Sequence, residues 1–148
     1  YMLSPRKDLD QKYTDKALRE YQLFLDDFPT SEYVEEANKK VMELRSKKAE
    51  KMLDNAYIYR KLEEYNAALK YIDMLLERYY DTEVVKQALY EKGRVYLDKE
   101  DWTMVRDILK KLEIVKADKE REQLNEEYEA AYKEYLEDNP QPSPVVEK

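Results

Sequence analysis

The chain has 148 residues, 27 basic and 34 acidic, for a formal net charge of −7, with one Gly, five Pro and neither Cys nor His. Without Cys this stretch holds no disulfide, thiolate nucleophile or lipidated cysteine, and without His it holds no zinc site of the usual kind and no histidine acid–base relay. One Gly excludes a glycine-rich phosphate loop, and an acidic chain is a poor partner for nucleic acid; a non-enzymatic protein is predicted, with no catalytic, cofactor-binding or metal-binding residues.

The near absence of Gly and the abundance of Ala, Leu, Glu, Lys and Arg favour helix almost throughout. No apolar run approaches the ~20 residues of a membrane span. No signal peptide opens the chain, and Tyr1-Met2-Leu3 resembles the tail of an apolar segment, so a fragment of a longer protein is expected. Ser4-Pro5 marks a break. Asp8 to Gln11 suits the start of a first helix, which carries Tyr13, Ala17, Leu18, Tyr21, Leu25 and Phe28 at steps of three and four and stops at Pro29. Ser31 is expected to cap the next helix, with Glu35 and Glu36 at the positive end of its dipole. A stripe of Val34, Ala37, Val41, Leu44, Lys48, Met52, Ala56 and Tyr59 follows, with no Gly or Pro over residues 31–62. The spacing predicts one helix of roughly 31 residues, about 46 Å long; the alternative is two helices with a kink near Arg45 to Lys48. Val34, Ala37, Val41, Leu44, Met52 and Ala56 are its expected buried positions.

A third helix is predicted from about Glu64 to Tyr79, with Tyr65, Ala68, Ile72, Leu75, Leu76 and Tyr79 inward. Asp81-Thr82 makes the next turn and cap. The fourth helix runs to about Asp98 with Val85, Ala88, Leu89, Gly93 and Tyr96 on one face; Gly93 costs ~1 kcal/mol relative to Ala, which implies close approach of a neighbouring helix. Glu100-Asp101 starts a fifth helix with Trp102, Val105, Ile108, Leu109 and Leu112, and Asp118 a sixth with Leu124, Tyr128, Ala131, Tyr132 and Tyr135. Asn139 to Lys148 holds three of the five prolines and reads as an extended or disordered tail. The chain thus divides into one helical domain over 1–138, itself part of a longer array, and a Pro-rich tail over 139–148.

The helices repeat. Residues 17–37 (ALREYQLFLDDFPTSEYVEEA) and 68–88 (ALKYIDMLLERYYDTEVVKQA) align without a gap at an offset of 51, pairing Ala17 with Ala68, Leu25 with Leu76, Phe28 with Tyr79, Ser31 with Thr82, Val34 with Val85 and Ala37 with Ala88. Ala56, Tyr59, Tyr65 and Ala68 reappear 37 residues on as Gly93, Tyr96, Trp102 and Val105. Small and aromatic residues at these spacings resemble the tetratricopeptide repeat, whose usual period is about 34 residues. The expected fold class is therefore all-α, a tetratricopeptide-like array of helical hairpins with one long helix over about 31–62. Fifteen Tyr exceed what the core of six helices needs, so some should lie at the surface, where Tyr is enriched at interfaces.

From Ser4 to about Val105 the chain resembles the C-terminal half of the BamD (YfiO-type) outer-membrane β-barrel assembly lipoproteins. The resemblance is carried by Ser4-Pro5, Asp10-Gln11, Thr14, Ala17-Leu18, Phe24-Leu25, Phe28-Pro29, Ser31-Glu32-Tyr33, Ala37, Leu44-Arg45, Lys48-Ala49-Glu50, Ala56, Tyr59, Tyr65, Ala67-Ala68, Asp81-Thr82, Ala88-Leu89 and Tyr96. It implies a protein-binding scaffold at the periplasmic face of the outer membrane. Its implied partners are the periplasmic domains of the barrel-inserting subunit and other assembly lipoproteins, and its only membrane contact is a lipid anchor upstream of this chain. Tyr80 stands where the family usually has proline, and Tyr71 where a basic partner-contacting residue is common.

On the third helix, Lys70, Tyr71, Met74 and Arg78 lie away from the Ala68–Ile72–Leu75–Tyr79 stripe and form the expected partner-binding face, since Tyr and Arg anchor interfaces and Met adapts to shape. Residues 1–100 hold 19 basic and 21 acidic side chains, and residues 101–148 hold 8 and 13. The acidic last helix is either a solvated capping face or a docking element for a basic partner. Two other functions compete. A generic tetratricopeptide adaptor or chaperone cofactor would clamp a terminal carboxylate, but Asn55, Arg60, Lys92 and Arg94 do not form the clamp pattern. A regulatory domain of an enzyme could bind a cation, but Glu63-Glu64 and Glu126-Glu127 are adjacent pairs that point to different sides of a helix.

Overall fold

The computed structural model describes residues 7–140, with side chains from Gln11 onward. The Ser4-Pro5 break and nearly all of the Pro-rich tail lie outside the described residues. Six helices follow one another: α1 (Lys7–Asp27), α2 (Val34–Lys61), α3 (Tyr65–Arg78), α4 (Val84–Asp98), α5 (Trp102–Ile114) and α6 (Asp118–Asp138). Each packs on its neighbour in sequence, and α4 also touches α2 and α6, while α1 touches α2 alone among the described residues. The fold is an all-α, tetratricopeptide-like array.

Helix α2 is continuous over 28 residues, about 42 Å, with no break at Lys48. Lys48 instead ion-pairs with Asp15 on α1. The helix begins at Val34 and not at Ser31. Residues 31–33 form a turn in which the Ser31 carbonyl accepts from Val34 N (3.2 Å) and its hydroxyl oxygen accepts from Tyr33 N (3.3 Å), so the serine closes the turn ahead of the helix and Tyr33 stands at the cap without a side-chain bond. The buried residues of α2 also differ from the expected set. Ala37, Ala49, Ala56 and Arg60 are buried, whereas Val34, Val41, Leu44 and Met52 are only partly so. Ala49 and Ala56, seven residues apart and both fully buried, lie on one face and let α3 approach; the bulkier side chains flank that contact.

Two core clusters share α4. The first joins Ala49 and Ala56 of α2 with Ala68, Ile72 and Leu75 of α3, Tyr79, and Val84, Ala88 and Val95 of α4. The second joins Leu89 and Tyr90 of α4 with Val105, Ile108 and Leu112 of α5, Ala117 and Leu124 of α6. Gly93 is the seam between α4 and α6: a Cβ placed there would lie 2.9 Å from Leu124 Cδ1 and 3.2 Å from Cγ.

The turns are of two kinds. After α2, α4 and α5 the chain stops on a left-handed residue: Glu63 (φ 60°), Glu100 (φ 55°) and Lys116 (φ 54°). In each, the following amide reaches back five residues, Glu64 N to Tyr59 O, Asp101 N to Tyr96 O and Ala117 N to Leu112 O, all at 2.9 Å. This is the Schellman closure, made here without glycine. Between α3 and α4, Thr82 is buried and its hydroxyl donates to Tyr79 O at 2.8 Å; it ties the turn to α3 and does not cap α4, whose N-cap is Glu83 without a side-chain bond. Asp101 does cap α5, accepting from Met104 N at 3.2 Å.

Candidate interaction surfaces

No helix among the described residues is long and apolar enough to cross a membrane. The surface features are side-chain ridges, grooves and charge.

On α3, Lys70, Met74 and Arg78 fall one turn apart and form a ridge. Lys70 and Arg78 are exposed, Met74 is half-buried, and neither cation has an ion-pair partner among the described residues. Asp73, beside the ridge, is held by Lys92 of α4 at 2.6 Å. Tyr71 sits differently: it is half-buried and stacks on Tyr59 of α2, with ring centroids 5.4 Å apart and planes inclined by 17°. It supports the ridge from the α2–α3 seam. At the end of α3, Arg45 of α2 donates to the Arg78 carbonyl and to Asp81 Oδ1, both at 2.8 Å, and lies 5.3 Å from the centre of the Tyr79 ring. The hydrogen bond from Arg45 holds the Asp81 carboxyl below the usual carboxylate range.

A second feature lies between α1 and α2. An open groove of about 520 Å³ is floored by Ala17, Tyr21, Phe24, Tyr33 and Ala37 and rimmed by Glu20, Glu36 and Lys40. A third is an aromatic ladder across α5 and α6. Trp102 stands 5.2 Å from Tyr135 and 5.4 Å from Tyr132, and Tyr128 stacks on Tyr132 at 5.5 Å. Tyr90 of α4, at the side of α6, donates to Glu127 Oε1 at 2.5 Å; burial first, and then that carboxylate, pushes its phenol up to about 12.

The sequence pattern of one protein family, described as YfiO, outer membrane lipoprotein, matches residues 2–98, which hold both hairpins and the long α2. The chain belongs to this family. The YfiO match covers α1 to α4, so α5, α6 and the aromatic ladder extend beyond it. No curated protein matches the chain.

Three features escaped sequence reasoning. The groove did so because Tyr21, Phe24 and Phe28 carry the same apolar period whether or not a helix covers them. The ladder was visible as Tyr128, Tyr132 and Tyr135 at helical steps, but its junction with Trp102 depends on how α5 meets α6. The Arg60–Glu91 pair joins residues 31 positions apart, and no local pattern couples them.

Proposed function

We propose that this chain is a non-catalytic scaffold in outer-membrane β-barrel protein assembly, working at the periplasmic face of the outer membrane. In this reading it binds periplasmic domains of the barrel-inserting subunit through the α3 ridge, with Lys70 and Arg78 as its charged contacts, Met74 as the adaptable one and Tyr71 as their support. Membership of the YfiO outer membrane lipoprotein family is the observation that carries the reading. The ridge is favoured because Lys70 and Arg78 stand exposed there, without ion-pair partners among the described residues, on either side of the adaptable Met74. A repeat array also leaves its outer faces free, since its inner ones are used to stack neighbours.

The test is association kinetics with the periplasmic domains of the barrel-inserting subunit at two ionic strengths. Lys70→Glu combined with Arg78→Glu is expected to slow association about tenfold or more at low salt, with a smaller effect at high salt. A double variant of unchanged helicity that associates like the parent at both salts removes the ridge from the interface.

A further inference from the structure

An open cleft of about 300 Å³ lies where the last turns of α6 meet the junction of α4 and α5. Trp102 and Tyr135 line it, both half-buried, with ring centroids 5.2 Å apart and planes inclined by 53°. Asp98, Glu100, Glu134 and Asp138 line it too, whereas the adjoining bases in sequence, Lys99 and Lys133, do not. Glu100, Glu134 and Asp138 have no ion-pair partner among the described residues. Asp98 accepts from the buried Arg60 at 2.8 Å and is still 36% exposed. The helix ends add charge of the same sign. Helices α4 and α6 both stop at the cleft, at Asp98 and Asp138, and neither last turn carries a base. The C-terminal end of a helix is the negative end of its dipole, where a carboxylate is disfavoured and a cation favoured. Carboxylates, helix ends and aromatic faces thus all favour a positive charge in one place. The cleft is bounded by three elements of this chain and is not the free side of a terminal helix.

We infer that this cleft takes the side chain of an arginine from a basic segment of a partner protein. The class of cation follows from the arrangement. A divalent metal ion needs its oxygen ligands gathered at one point, and no three acids among the described residues are placed to hold one. The carboxylates instead share the cleft with aromatic rings, which suits a planar cation that stacks through its face and donates through its edge. Asp98 already takes a guanidinium on one side, that of Arg60. Residues 101–148, with 8 basic and 13 acidic side chains, supply the longer-range attraction for a basic segment. No residue of α3 lines the cleft, and the inference stands without the ridge.

Trp102 is the only Trp of the chain, so its fluorescence emission reads the cleft directly. The probe is the peptide acetyl-Gly-Arg-Gly-Arg-Gly-amide, titrated into the whole chain, with its citrulline counterpart as the uncharged control. The arginine peptide is expected to shift the emission saturably and to bind about tenfold or more tightly than the citrulline one. Glu134→Gln with Asp138→Asn should weaken it about tenfold, and Tyr135→Leu, which keeps the carboxylates, about threefold. Glu122→Gln with Glu126→Gln makes the same change of net charge on an exposed part of α6 outside the cleft, and should leave the affinity within about twofold. Helicity is checked for every variant. No saturable shift, equal binding of the two peptides, or equal weakening by the two pairs of substitutions overturns the inference. So does putrescine, a flexible dication, binding as tightly as the arginine peptide. Self-association in sedimentation that Glu134→Gln with Asp138→Asn removes assigns the cleft to a second copy, and a shift of the peptide-free emission on Lys148→Gln assigns it to this chain's own end; either outcome overturns the inference as well.

Discussion

Arg60 of α2 and Glu91 of α4 meet inside the array, Nε donating to Oε1 at 2.5 Å, with 5% and 7% of the two side chains exposed. The Arg60 Nη1 group also donates to Asp98 Oδ2 at 2.8 Å. A buried ion pair is costly to split and cheap to replace whole, because removal of one partner strands the other charge away from water. Glu91→Leu is expected to destabilise the fold by about 3–5 kcal/mol. Adding Arg60→Met should recover most of that loss. Urea unfolding of the parent, both single variants and the pair measures this coupling; a double variant as unstable as Glu91→Leu alone would contradict it.

Gly93 opposes two effects of known size. Gly93→Ala gains up to about 1 kcal/mol of helix propensity. It also drives a methyl group into the Leu124 side chain, which is fully buried and must shift within the core to make room. Overpacking costs of about 1–3 kcal/mol exceed the gain, so the melting temperature should fall. Leu124→Ala in the Gly93→Ala background should cost less than Leu124→Ala in the parent. A melting temperature raised by Gly93→Ala alone shows that α4 and α6 do not touch there.

The Arg45–Asp81 bond gives the turn after α3 a pH signature. The folded-state pKa of Asp81 lies below its unfolded value of about 3.9. Its stabilising contribution is therefore complete above that unfolded value and disappears as pH falls through the folded one. The melting temperature of the parent should exceed that of Asp81→Asn at pH 6, and the gap should close as pH falls below the unfolded carboxylate value of about 4. A gap that does not narrow there removes the ion pair as its cause.

Tyr90 titrates in the opposite sense. Its folded pKa, pushed up to about 12, exceeds the ordinary phenol value near 10. The neutral form is favoured in the fold, so this contribution is fully present below pH 10 and lost as pH rises toward the folded value. Absorbance at the phenolate wavelength should show Tyr90 ionising later than the exposed tyrosines. Tyr90→Phe should delete that later step and leave the main transition in place.

The six helices were legible because each carries its own apolar period and because Pro29, Asp101 and Asp118 mark real starts and stops. Repetition was legible for the same reason: Ala17 to Ala37 and Ala68 to Ala88 encode one hairpin twice. Depth of burial was not. A periodic stripe names the face that turns inward, yet Ala49, between Lys48 and Glu50, marks a closer approach than Val41 or Leu44 because small size and not hydrophobicity decides the distance between axes. Tyr71 shows the same limit at the candidate site. It sits off the apolar stripe, and only the position of Tyr59 on the next helix shows that its ring is stacked there.

The packing order also has a consequence for dynamics. Because α4 is gripped by α2, α3, α5 and α6, it is shared by both core clusters. Any opening that frees α4 must break both clusters at once, so its amides should exchange with solvent only when the described helices unfold together.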